Sequence, residues 1–116
     1  MWSGKPPVKP DAAALAPTFA ALGDATRLRL VTALSDGEAH SIARLTELTA
    51  LSRQGVTKHL DVLAQAGIVH GLRSGRERLW QLEGAKLDEA RLALESIGRE
   101  WEGALGRLKR FVEGDA

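Results

Sequence analysis

The 116-residue chain has no cysteine, which excludes disulfides, zinc–thiolate sites and a thiol redox switch. It has three histidines, His40, His59 and His70, separated by 19 and 11 residues, and none follows His70. Such spacing forms no metal-ligand motif, so no metal and no cofactor is expected. No apolar run approaches the roughly 18 residues of a membrane span, and the opening Met-Trp-Ser-Gly-Lys-Pro-Pro lacks the apolar centre of a signal peptide. A cytoplasmic protein is expected. Serine, histidine and aspartate never gather near a glycine-rich turn, and Glu95 and Glu102 lie seven apart as a charged stripe, which argues against an enzyme. Excess charge of one sign is also missing, since the net charge is only +1.

That small charge is unevenly distributed. Arg53, Lys58, Arg73, Arg76 and Arg78 face only Asp61 and Glu77 between positions 53 and 78, a local surplus of three positive charges. The surplus begins on residues 51–63, where Val56, Leu60 and Leu63 at i, i+4 and i+7 predict one amphipathic helix. Ser52 stands in the capping position. The opposite face carries Arg53, Gln54, Thr57 and Lys58, residue types that donate to base edges and phosphate oxygens in the major groove of double-stranded DNA. A capped helix N-terminus adds free N–H groups and partial positive charge suited to a phosphate. His59 borders the buried face, where it would brace the helix or donate to a phosphate. Gly55, which costs a helix about 1 kcal/mol against alanine, implies a close approach, with packing against the preceding helix favoured over a phosphate.

Residues 1–10, with prolines at 6, 7 and 10, are expected to be a flexible tail, and 11–116 a single domain. Leu15, Phe19 and Leu22 predict a first helix, kinked or restarted at Pro17 and ended by Gly23. Asp24 should cap Ala25–Leu34, with Leu28, Val31 and Leu34 inward and Arg27 and Arg29 in water. Ser41 should cap Ile42–Thr49, with Ile42, Leu45 and Leu48 inward. Only Ala50 and Leu51 then precede Ser52, and two short helices joined so tightly are the sequence form of a helix-turn-helix. Ile68–Arg73 and Arg76–Leu82 flank Ser74-Gly75, a hairpin signal, with Leu72, Trp80 and Leu82 to hold the hairpin on the helices. Its basic tip, with Arg73, Arg76 and Arg78, suits phosphates or a neighbouring minor groove.

Gly84 to Val112 contains no proline and predicts one long helix. Leu87, Ala90, Leu94, Ile97, Trp101, Ala104, Leu108 and Phe111 repeat at spacings of 3 and 4, a heptad seam longer than three short helices can cover. A homodimer is therefore expected, with Leu94, Ile97, Trp101 and Leu108 meeting the partner beside Leu15 and Phe19.

The strings FAALGDATRLRLVTAL (19–34), LSRQGVTKHLDVLAQAGIV (51–69) and SGRERLWQL (74–82), in that order, resemble the ArsR-type winged-helix transcriptional regulators. The resemblance implies a mainly α, α+β winged helix-turn-helix with a two-stranded β-hairpin wing and a long C-terminal helix. It also implies a dimeric repressor that occupies a palindromic operator and releases it when an effector binds. Recognition roles fall on Arg53, Gln54, Thr57, Lys58 and His59, and wing roles on Arg73, Arg76 and Arg78. Metal-sensing members hold thiolates in the helix before the turn, around Ser41–Leu45 here, and no cysteine stands there. An effector, if there is one, is expected to be an organic small molecule or a partner protein rather than a metal. Two other readings share these residues: a winged-helix module that binds an acidic protein partner, and a metal-responsive repressor.

Overall fold

The computed structural model describes residues 12–114, so the expected tail lies outside the described residues. A 3₁₀ turn, Ala12–Leu15, leads into α1 (Ala16–Leu22), with Pro17 in the first turn, where its missing N–H has no helical partner to lose. Helix α2 (Ala25–Ala33) follows, its first turn capped by the Asp24 carboxylate, which accepts from the Arg27 backbone N–H at 3.0 Å. The buried face of α2 differs from the expected one. Leu30 and Leu34 are fully buried and Val31 partly so, but Leu28 is 47% exposed. Arg27, expected in water, turns inward to the end of α1.

The short strand β1 (His40–Ser41) runs into α3 (Ile42–Thr49), where the Ser41 hydroxyl accepts from the Arg44 N–H at 3.1 Å. Leu45 is fully buried and Ile42 half-buried, whereas Leu48, expected inward, is exposed. Ala50 ends α3 in the left-handed conformation at φ 58°. A Cβ there costs about 1–2 kcal/mol, partly offset because glycine is freer in the unfolded chain. Ala50→Gly should therefore stabilise the protein by about 0.5–1 kcal/mol in urea unfolding. A loss of stability would show that the turn is not strained.

Helix α4 (Arg53–Gln65) is the predicted amphipathic helix, and Val56, Leu60 and Leu63 are all fully buried. Each contributes about 1.5–3 kcal/mol by leaving water. Strands β2 (Val69–Ser74) and β3 (Glu77–Leu82) pair antiparallel around the turn Gly75-Arg76, one residue later than expected, with Gly75 at φ 63°. Trp80 is 2% exposed and joins the core with Ile68 and Val69, and Leu82 packs against it, but Leu72 is exposed. The sheet has three strands in the order β1-β3-β2, not two. In β1, His40 and Ser41 pair with Trp80 and Leu79, a strand too short to show alternation in sequence. Gln81 Nε2 donates to the Gly37 carbonyl at 2.7 Å and ties the wing to the loop after α2.

Helix α5 (Gly84–Val112) is continuous over 29 residues, about 43 Å at 1.5 Å per residue. The 3₁₀ turn and α1 pack on it, and the buried residues of these elements include Leu15, Thr18, Ala90 and Ala93. Beyond Ala93 none of its residues is buried. Leu94, Ile97, Trp101, Leu108 and Phe111 of the seam stand exposed, joined by Leu92, Leu105 and Val112, so the uncovered apolar surface is wider than the seam alone. Leu15 is only 4% exposed and is covered within its own chain, which leaves it little surface to offer a partner. Phe19 is partly exposed.

Candidate nucleic-acid interface

The outer face of α4 begins at its cap. The Ser52 hydroxyl accepts from the Gly55 N–H at 3.0 Å, and a Cβ built on Gly55 would lie 3.0 Å from that same oxygen. The glycine therefore makes room for the cap rather than for the preceding helix. Arg53, Gln54, Thr57 and Lys58 are all exposed, and with Ser52, Gly55 and Asp61 they line one shallow groove. Thr57 donates its hydroxyl proton to the Arg53 carbonyl at 2.9 Å, and the residue stays exposed. Asp61, absent from the sequence-derived site, puts an acceptor on this otherwise basic face. Its position four residues after Thr57 was the signal for it.

Behind the helix, Arg27 joins three elements. Its Nε donates to the Ala21 carbonyl at 2.6 Å and its Nη2 to the Ala20 carbonyl at 3.4 Å, so a cation sits at the C-terminus of α1. Its Nη1 lies 3.5 Å from Nδ1 of His59 on α4. His59 therefore lies against Arg27, a side chain that periodicity assigns to solvent. The Arg27 backbone N–H, and then the charge of its guanidinium, hold the Asp24 carboxyl below the usual carboxylate range.

The wing arginines do not form one cluster. Arg76 occupies the hairpin turn, while Arg73 and Arg78 stand directly opposite each other one step down the ladder. Arg78 lies back along the hairpin with Cζ 4.3 Å from the Trp80 ring centroid, a cation–π contact of about 0.5–1 kcal/mol at an exposed site. All three arginines remain exposed. Of the other two histidines, His40 Nε2 is 2.9 Å from Asp36 and His70 Nδ1 is 3.3 Å from Glu83. Among the described residues no three of His, Cys, Asp or Glu gather as a metal site, and no helix is long and apolar enough to cross a membrane.

A helix followed by a three-residue turn, an exposed polar helix and a basic hairpin is the geometry of a winged helix-turn-helix. The family described as a helix-turn-helix domain matches residues 22–71. The chain is 36% identical over 67 residues to the HTH-type transcriptional regulator YuzN of Bacillus subtilis, covering 53% of this chain and 73% of that protein. It is 38% identical to the solved structure of an ArsR-like transcriptional regulator from Rhodococcus sp. RHA1, with a TM-score of 0.71 over 86% of this chain and 93% of the other. The homodimeric winged helix-turn-helix DNA-binding domain solved from Mycobacterium bovis shares the fold at 20% identity, with a TM-score of 0.61 over 85% and 91% of the two chains. Sequence identity and the arrangement of turn, recognition helix and wing thus agree, and the chain belongs to the ArsR family of helix-turn-helix transcriptional regulators.

Proposed function

We propose that the protein is a homodimeric repressor that reads an inverted-repeat operator in double-stranded DNA. The observation that carries this reading is the exposed run Arg53, Gln54, Thr57 and Lys58 on the first turns of a capped helix, beside a basic hairpin. Arg53 and Gln54 have the donor geometry for bidentate contacts to guanine and adenine, and the Thr57 methyl suits a thymine methyl. Lys58 and the helix N-terminus take phosphates. Asp61 repels phosphates and can accept only from a donor such as the cytosine amino group. The wing arginines add backbone contacts that carry no sequence information.

The second copy is argued from α5. Ile97, Trp101, Leu108 and Phe111 lie uncovered on one helix, and a patch of this kind marks an interface. The Mycobacterium bovis neighbour, described as homodimeric, supports the same assembly. Binding to a duplex should weaken with salt by a slope of about −0.9 per phosphate neutralised, and the operator should be favoured over random DNA by roughly 10³ or more. A protein-interaction module would show neither. Because the chain has no cysteine and no histidine after His70, its effector is proposed to be an organic molecule rather than a transition metal. Calorimetric titration with zinc, nickel and copper should show no site tighter than ~1 µM, about −8 kcal/mol. A tight, stoichiometric metal site that lowers operator affinity would contradict this.

A further inference from the structure

Gly71 stands directly opposite Trp80 in the β2–β3 ladder, and its φ lies outside the left-handed region, so the backbone does not require glycine there. A glycine inside a strand gives up side-chain packing and backbone order. What this one provides is space. A Cβ on residue 71 would lie 2.9 Å from Nε and 3.2 Å from Nη2 of Arg78, the side chain stacked on Trp80. Residues 71, 73, 78 and 80 share one face of the hairpin, because side chains alternate along a strand and these positions pair across it. Gly71, Arg73 and Arg78 also line the same small depression. Arg73 and Arg78 are directly opposed like charges, which repel unless an anion lies between them. Neither is paired with a carboxylate among the described residues.

We propose that Gly71 is a positioning residue: the lane left by its missing Cβ lets Arg78 lie flat on Trp80, so that Arg78 and Arg73 are preset as a clasp for one DNA phosphate. This rests on the DNA-binding reading above. A guanidinium already held in place loses less freedom on binding than a free one. Among the described residues, Arg76 at the turn has no such support.

The test compares wild type, Gly71→Ala, Gly71→Ser, Arg78→Ala and the double variant Gly71→Ala/Arg78→Ala for binding to a fluorescent mixed-sequence duplex across a range of salt, alongside thermal unfolding. Both Gly71 variants should unfold at or above the wild-type temperature yet bind roughly tenfold more weakly, with a salt slope shallower by about one. Arg78→Ala should match them, and the double variant should bind no worse than Arg78→Ala alone, because the lane then has nothing to hold. Full affinity in the Gly71 variants, losses that add in the double variant, or stability falling in step with binding would overturn the role of Gly71. If Arg76→Ala weakened binding as expected while both Gly71 variants matched wild type, only this inference would fall. A wild-type protein that ignored the duplex would remove the DNA-binding reading and this inference together.

Discussion

Trp101→Glu is expected to sediment as a folded monomer at tens of micromolar, where the wild type is expected to be a dimer, and to bind the operator at least roughly 10²-fold more weakly. The side chain is 62% exposed in the single chain, so the substitution leaves the core between α2, α3, α4 and the sheet untouched. What it changes is the uncovered face of α5. Burial of Ile97, Trp101 and Leu108 in a dimer contributes about 1.5–3 kcal/mol each per subunit, against an association cost of about 4–15 kcal/mol. A carboxylate in the middle of that face must be desolvated without a partner, which offsets much of the gain. Two recognition helices on one dimer act as linked modules, and unlinking them loses the advantage of the second contact without altering the first. A mutant that stays dimeric and keeps full operator affinity would remove α5 from this role.

The second large effect is a division of labour between helix and wing. Arg53→Ala or Gln54→Ala should cost about 1–3 kcal/mol and relax the preference at one base position, because each removes a bidentate donor from the groove face of α4. Arg76→Ala should instead weaken binding to every sequence alike and flatten the salt slope by about one. Competition between the operator and singly substituted duplexes, repeated at several salt concentrations, separates the two. Equal, sequence-independent losses from both sets would mean that α4 does not read bases.

Helix α4 is legible in the sequence because periodicity and capping agree: Val56, Leu60 and Leu63 are buried, and Ser52 caps the helix at the expected place. The long α5 was legible for a related reason, since an unbroken seam without proline has few other solutions. The buried face of α2 differs from the one periodicity predicts because two competing stripes exist in Leu28-Arg-Leu30-Val31, and Arg27 decides between them. Its guanidinium satisfies the last carbonyls of α1, a tertiary contact that no periodicity encodes. Strand β1 was invisible because two residues cannot alternate. Leu15 belongs to a stripe that continues to Phe19, yet it is buried within its own chain, in the turn that packs on α5. The exposure of Arg53, Gln54, Thr57 and Lys58 on α4 follows from type and spacing, whereas the stacking of Arg78 on Trp80 depends on strand register and on a glycine across the ladder.

In vitro selection from random duplexes tests the central claim most directly, because it asks at once whether the protein reads DNA and whether it reads as a dimer. The account predicts enrichment of an inverted repeat whose half-sites are centred about 10–10.5 base pairs apart or a multiple of that, matching recognition helices roughly 34–36 Å apart. Recovery of no common sequence, or of a single half-site without its inverted partner, would contradict it.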